Sequence, residues 1–292
     1  MKKRALLAAS TFVLSAAAAG QMNFIDDPKA GSLAVRDGRT EVLVYRYGDQ
    51  LKEGLDPKYA RSSYIHPLFG LGGQVLTDDF PADHLHHHGL FWAWPVVKTR
   101  GIETSNWEVR SPPLRQIFFR WTLKAASLAG AELGVENAWI LDGKDKVARE
   151  NVLVRVSPAE AGERKIYLQV ILEAVGGPLE LRGAPDQSKG YGGLCFRGSP
   201  LFTGAAMTTD EGLLKAYVVN TPFRWATLAA PTAEVAIEVL PEHPRGPKIP
   251  WLVRASYAGV LNPSWPGLSP AVLLPGDPVR LDYLIRIRSG KR

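Results

Sequence analysis

Sulfur is scarce in this 292-residue chain, which has one cysteine and three methionines. With Cys195 alone no internal disulfide can form, so stability must come from an apolar core, which about 270 residues can supply. Cys195 sits between Leu194 and Phe196, where it reads as a small buried residue rather than a nucleophile. Beyond residue 20 no apolar run approaches the roughly 20 residues of a membrane-spanning helix, which excludes such a span from the mature chain. Apolar residues at helical spacing are also rare, which excludes an all-α class. No block of Lys or Arg occurs, although the formal net charge is +6. Three of those charges, Lys2, Lys3 and Arg4, precede the apolar stretch Ala5 to Ala19, with Ala17, Ala18, Ala19 and Gly20 offering small-residue cleavage sites. Residues 1–20 therefore read as a secretory signal peptide, and the chain as exported to the periplasm or beyond. Removing the three leader charges from +6 leaves +3, spread along the chain. That balance argues against a nucleic-acid partner and leaves a small molecule or oligosaccharide, neutral or anionic.

What the chain has in abundance is short apolar or alternating segments separated by turn residues, with 28 glycines and 22 prolines. Strands are expected over 41–47, 115–123, 132–141, 146–156, 164–173, 235–240, 251–256 and 279–287. Asp142-Gly143-Lys144-Asp145 between two of them reads as a hairpin turn. The clusters of Gly and Pro at 178–193 and 241–250 still carry apolar and aromatic residues, so they read as ordered loops. The expectation is one mainly β domain over 21–292, a large antiparallel β-sandwich in which each sheet buries one face. A β-propeller is the competing architecture, but no blade-length repeat occurs.

Four of the six histidines fall within Asp83-His84-Leu85-His86-His87-His88-Gly89. Imidazole is the side chain best suited to proton transfer and metal binding near neutral pH. Extended, the run would put His84, His86 and His88 on one side; helical, it would group His84, His87 and His88. His84, His86 and His88 could hold a divalent metal, yet no H-E-x-x-H or cysteine ligand accompanies them. The alternatives are a metal-free pocket with a proton-shuttling histidine and a hydrogen-bonded structural loop. Trp92 and Trp94 follow on one face of a strand and could stack on a sugar, or could be core. Lys189, Tyr191 and Arg197 frame a glycine-rich segment and could bind hydroxyls or a carboxylate, or simply mark a tight turn. His243 and His66, each beside a proline, are further candidates if the fold brings them to the cluster.

The segments YIHPLFGLGGQVLTDDFPADHLHHHGLFWAW, KGYGGLCFRG and HPRGPKIPWLVRASYAGVLNP resemble a family of exported bacterial proteins labelled PmoA-like, or methane oxygenase. The resemblance runs over nearly the whole mature chain and is strongest at 64–94. His88 stands where that family has arginine after two adjacent histidines, and Leu85 where it commonly has proline. The resemblance implies a soluble β-sandwich of unestablished activity, and its label implies a metal-dependent enzyme. The histidine run and the GYGGL segment are also similar to the galactose-mutarotase type of sandwich, in which histidines and a carboxylate act on sugars.

These readings converge on a carbohydrate-active protein doing acid/base chemistry at a histidine-rich pocket, as a lyase, hydrolase or epimerase. His66, Asp83, His84, His86 and His87 would carry the catalysis. His88, Trp92, Trp94, Lys189, Tyr191, Arg197 and His243 would bind the substrate. The alternatives are a non-catalytic sugar-binding module and a metal-dependent enzyme.

Overall fold

Strict alternation makes the clearest strand: in Glu163–Ala174 every second residue from Ile166 to Ala174 is buried, and those between them are only partly covered. Each aliphatic side chain so buried contributes about 1.5–3 kcal/mol relative to exposure, which fixes which face turns inward. A computed structural model describes residues 20–290, so the leader expected at 1–20 lies outside the described residues except for Gly20. All eight expected strands occur, some a few residues longer, and the described residues contain no α-helix, only three single-turn 3-10 segments. No helix among them is long and apolar enough to cross a membrane. The turn at Asp142-Gly143 has positive φ at both residues, 52° and 68°, as a two-residue hairpin requires.

Two nine-stranded sheets, antiparallel at every paired strand, form the body. One runs, in spatial order, Met22–Asp27, Ser32–Asp37, Thr40–Arg46, Tyr64–Leu68, Leu90–Ala93, Gly193–Arg197, Val260–Pro263, Ile249–Arg254 and Val218–Phe223. The other runs Gly212–Leu214, Ala206–Thr209, Trp225–Ala230, Ala233–Val239, Val279–Ser289, Glu163–Ala174, Asp145–Val156, Gly130–Leu141 and Leu114–Ser127. A four-stranded sheet accompanies them, in the order Ala271–Leu273, Leu179–Arg182, Val96–Thr99 and Ile102–Thr104. Residues of both large sheets share one continuous core, where Trp94 meets Trp139 at 5.4 Å between ring centroids. The expected large antiparallel β-sandwich is therefore what this sequence forms.

A second, smaller apolar cluster lies apart from that core, built from Tyr64, Phe91, Ala93, Trp107, Cys195, Leu252 and Val260. Its members alternate with core residues along their strands: Leu90, Trp92 and Trp94 belong to the main core, Phe91 and Ala93 to the smaller cluster. The first sheet thus has an apolar outer face, and the histidine run lies over it.

Candidate functional site

The run sits in the connection 69–89, between the strands Tyr64–Leu68 and Leu90–Ala93. Two successive tight turns shape it, with His84 N–H donating to the Pro81 carbonyl at 3.0 Å and His87 N–H to that of His84 at 2.9 Å. The loop closes on itself through Phe80 N–H to the His87 carbonyl and Gly89 N–H to that of Asp78, at 3.2 and 2.7 Å. It is tied to the neighbouring strand by Arg197 N–H to the Gly89 carbonyl at 2.7 Å. Gly89 cannot be replaced here: its φ is +34°, and a Cβ would lie 2.2 Å from the Ile65 carbonyl oxygen.

These turns split the histidines into two groups. His84 and His87 stack with centroids 4.7 Å apart, and His86 meets both rings edge-on at 5.7 and 4.9 Å. His88 turns the other way, to the floor, between Phe80 and Tyr64. There His88 Nδ1 lies 2.8 Å from an oxygen of Asp79, whose other oxygen accepts the Tyr64 hydroxyl at 2.8 Å. A carboxylate only accepts, so His88 carries its proton on Nδ1 and Nε2 remains as the lone-pair nitrogen. Burial lowers His88 to about 4, against the opposing pull of Asp79, so the ring is neutral at pH 7. Burial likewise lowers His86 to about 4 and His87 well below its usual range, each reinforced by neighbouring histidines. Burial works against the charged form of Asp79, but the hydrogen bonds from His88 and Tyr64 hold its carboxyl below the usual range.

Beside the loop lies a cleft of connected hollows. One of about 440 Å³ is lined by His86, His88, Arg61, Trp107 and Glu108 among others. A second, of about 260 Å³, shares His86, Trp107 and Glu108 and adds His84, His87, Tyr191 and Arg254. A third, of about 210 Å³, continues from Glu108 and Tyr191 to Arg110 and Asp186. The Trp107 ring packs on Phe91, His87 and Tyr191 at centroid distances of 5.0, 5.7 and 5.2 Å. Its loop is pinned by Ser105 Oγ, which accepts the N–H groups of Trp107 and Glu108.

Arg61 anchors the floor, donating to the Asn106 and Trp92 carbonyls at 2.5 and 3.0 Å and to Gln116 Oε1 at 2.7 Å. Gln116 passes the contact inward, its Nε2 donating at 2.8 Å to Glu150, which is fully buried in the core. Glu150 also accepts from Asn137 Nδ2 and Trp139 Nε1, both at 2.8 Å. Burial lowers Arg61 to about 10 despite the attraction of Glu150, which leaves the guanidinium charged at neutral pH.

Several expected roles are corrected by this arrangement. Trp92 and Trp94 do share a face, but it is the inner one, where both are buried in the core and neither can stack on a ligand. Phe91, one residue out of step, holds the outer face beside the histidines. His243 does not join the cluster; it is buried against Trp265 and Tyr283. His84, His86 and His88 do not converge as metal ligands, because the loop divides them and Asp79 takes His88 Nδ1. Among the described residues no group of three or more His, Cys, Asp or Glu is placed to hold a metal ion. Asp83 and Arg197 serve the loop rather than the cleft: Arg197, buried, donates from Nη2 to both Asp83 oxygens at 2.8 and 2.9 Å, and His84 Nδ1 lies 3.1 Å from Asp83. His66 stands near the Asp79–His88 pair with its Nδ1 3.0 Å from the Thr77 hydroxyl, and it lines none of the three hollows. Lys189 and Tyr191 line the cleft, and so do His84, His86, His87 and His88. Cys195 is buried, its thiol pushed up to about 12 by burial, as expected of an inert residue.

Tyr64, Arg61, Trp107, Glu108 and Arg254 were not legible as residues of the candidate site. Asp79 offered one signal, an acidic residue a few positions ahead of the histidines; Arg61 and Trp107 sit in segments with no motif.

In fold, the chain is similar to a mutant of heparan sulfate lyase HepC from Pedobacter heparinus, at 8% identity and a TM-score of 0.46, over 90% of this chain and 36% of that one. It therefore spans about a third of that lyase's length. It is similar to YeaD from Salmonella typhimurium, assigned as a mutarotase, at 12% identity and a TM-score of 0.41, over 92% of this chain and 91% of that one. It is also similar to a GalM/aldose epimerase homologue from C. elegans, at 9% identity and a TM-score of 0.39, over 92% of this chain and all of that one, 100%. Such identities speak to fold alone. No curated protein sequence matches the chain. The resemblance to PmoA-like proteins is overturned by the family model that does match, which carries a different description and covers residues 32–292. The chain belongs to that family, described as a family of unknown function, DUF6807.

Proposed function

We propose that the cleft binds a saccharide and that His88, oriented by Asp79, exchanges a proton with it. The observation that carries this reading is the Asp79–His88 pair, a carboxylate 2.8 Å from Nδ1 of a neutral imidazole whose ring lines the cleft. A proton taken by Nε2 creates an imidazolium that the buried carboxylate is placed to stabilise, and Tyr64 holds that carboxylate from its other side. Trp107 and Tyr191 give the cleft aromatic walls, which suit the apolar faces of sugar rings. Among the described residues Glu108 is the only carboxylate lining the two larger hollows, so no pair of carboxyl groups faces across a glycosidic bond in the part of the cleft beside His88. That favours proton abstraction at a sugar carbon, as in a lyase or an epimerase, over hydrolysis. The leader-like segment 1–20 makes the protein an exported one in this reading, and residues 21–292 one domain.

The test incubates the purified protein with a panel of plant, algal and animal polysaccharides in D₂O and follows products and deuterium uptake by mass spectrometry. His88→Ala is expected to lose at least about a hundredfold in turnover, and Asp79→Asn, which presents the wrong partner to Nδ1, a comparable factor. Circular dichroism confirms that each variant is folded. Unchanged turnover in a folded His88→Ala protein would remove His88 from the chemistry.

A further inference from the structure

The cations of the cleft divide into two kinds. Lys58 pairs with Asp56 at 3.1 Å, Arg115 with Asp49 at 2.9 Å, Arg110 with Glu108 at 3.1 Å and Lys189 with Asp186 at 3.2 Å, all near the surface. Arg61 and Arg254 have no carboxylate within 4.0 Å among the described residues, and each keeps a buried Nε without a hydrogen-bond partner. Arg61 lies in the larger hollow and Arg254 in the second, with His86 and Trp107 shared between them. Arg254 lies over the Tyr257 ring, 4.8 Å from its centroid, and its guanidinium makes no hydrogen bond among the described residues. Carbonyl oxygens under Arg61 and the Tyr257 ring under Arg254 offset only part of the desolvation of a partly buried guanidinium, and an arriving anion would offset more of it.

We infer that the cleft is built for an acidic saccharide, bearing a carboxylate or sulfate on the unit in the second hollow, which Arg254 grips, while Arg61 supplies positive potential under the neighbouring unit. This rests on the reading of the cleft as a saccharide site and adds the chemical class. A guanidinium presents parallel N–H groups that match the paired oxygens of either anion, whereas a neutral sugar hydroxyl uses only one of them. The shared walls at His86 and Trp107 set Arg61 and Arg254 in adjoining hollows, so two neighbouring acidic units would occupy one hollow each, the unit over Arg61 meeting His88.

The experiment measures binding calorimetrically for three probes of equal length, a tetrameric oligouronide, its carboxyl-reduced neutral counterpart and a sulfated neutral-backbone tetrasaccharide. At least one acidic probe is expected to bind about tenfold or more tighter than the neutral one, the preferred acid identifying carboxylate or sulfate, and added salt should weaken it. Arg254→Gln, at a partly buried strand end and checked for folding by circular dichroism, should remove that preference by about tenfold while sparing the neutral probe. Arg61→Gln, checked for folding by circular dichroism, removes that positive charge and serves as the second variant; it should reduce the same preference. Equal binding of acidic and neutral probes, or a preference unchanged in Arg254→Gln, overturns the inference and leaves the proposed function standing if turnover of a neutral glycan still depends on His88. Absence of binding to any of the three, with no glycan of the wider panel turned over, defeats both.

Discussion

Stability is expected to fall steeply as the pH is lowered from about 6.5 to about 4, with most of the loss above the range in which ordinary carboxylates titrate. Burial lowers His86, His88 and His243 to about 4 each, from an unfolded value of 6.5, and His87 lower still. Within that window the unfolded chain takes up protons that the native protein refuses, so the unfolded state binds more protons and stability rises with pH. The contribution is fully present above pH 6.5 and is lost as the pH drops to the native values. One pKa unit corresponds to about 1.4 kcal/mol, so each ring shifted from 6.5 to about 4 contributes on the order of 3 kcal/mol. His86 and His87 lie ring to ring, so their contributions overlap and do not simply add. Asp79 loses its contribution only below the ordinary carboxylate range, and so outside this interval. Urea titrations at pH 7, 6, 5 and 4 measure the effect. His243→Phe, far from the loop's network, should flatten part of the slope. A protein equally stable at pH 7 and pH 4.5 would mean that these rings are not buried neutral.

How much of this could be read from the sequence follows from what each signal depends on. Strands were legible because parity is local: Ile166, Leu168, Val170 and Leu172 announce an inward face without knowledge of any partner. The Asp142-Gly143 turn was legible because few residues tolerate its backbone. The histidine run was legible as a cluster, but not its division, because two tight turns rotate His88 away from His84, His86 and His87, and turn geometry depends on closure against Asp78 and Arg197 from elsewhere. Trp92 and Trp94 were assigned a common face correctly and the wrong side of the sheet, since a period of two says which residues share a face but not which face meets the other sheet. Arg61 and Trp107 were invisible because single residues acquire meaning only when the sheet brings residues 45 apart into contact.

The same parity argument leads to the strongest effect expected of a single substitution. Asn137 lies in phase with Leu133, Val135 and Trp139, and Glu150 in phase with Ala148, Val152 and Val154, so both polar residues point into the core. In a sequence, an acidic residue in phase with buried valines announces either a destabilising defect or a built polar network, and here it is a network. Glu150 takes three N–H donors, from Gln116, Asn137 and Trp139, at 2.8 Å each. Each donor left buried and unpaired costs about 1–3 kcal/mol, so Glu150→Ala is expected to destabilise by roughly 3–5 kcal/mol, a large share of a domain's total stability. Glu150→Gln keeps the shape but offers an amide N–H to groups that are already donors, so its cost should be smaller and still well above 1 kcal/mol. The loss also reaches the cleft, because Gln116 links Glu150 to Arg61 and Arg61 holds the carbonyl next to Trp107. Urea unfolding of the two variants, read with the fluorescence of the tryptophans, measures both consequences. A cost below about 1 kcal/mol for Glu150→Ala would show that water replaces the carboxylate in that space and that Arg61 is positioned without it.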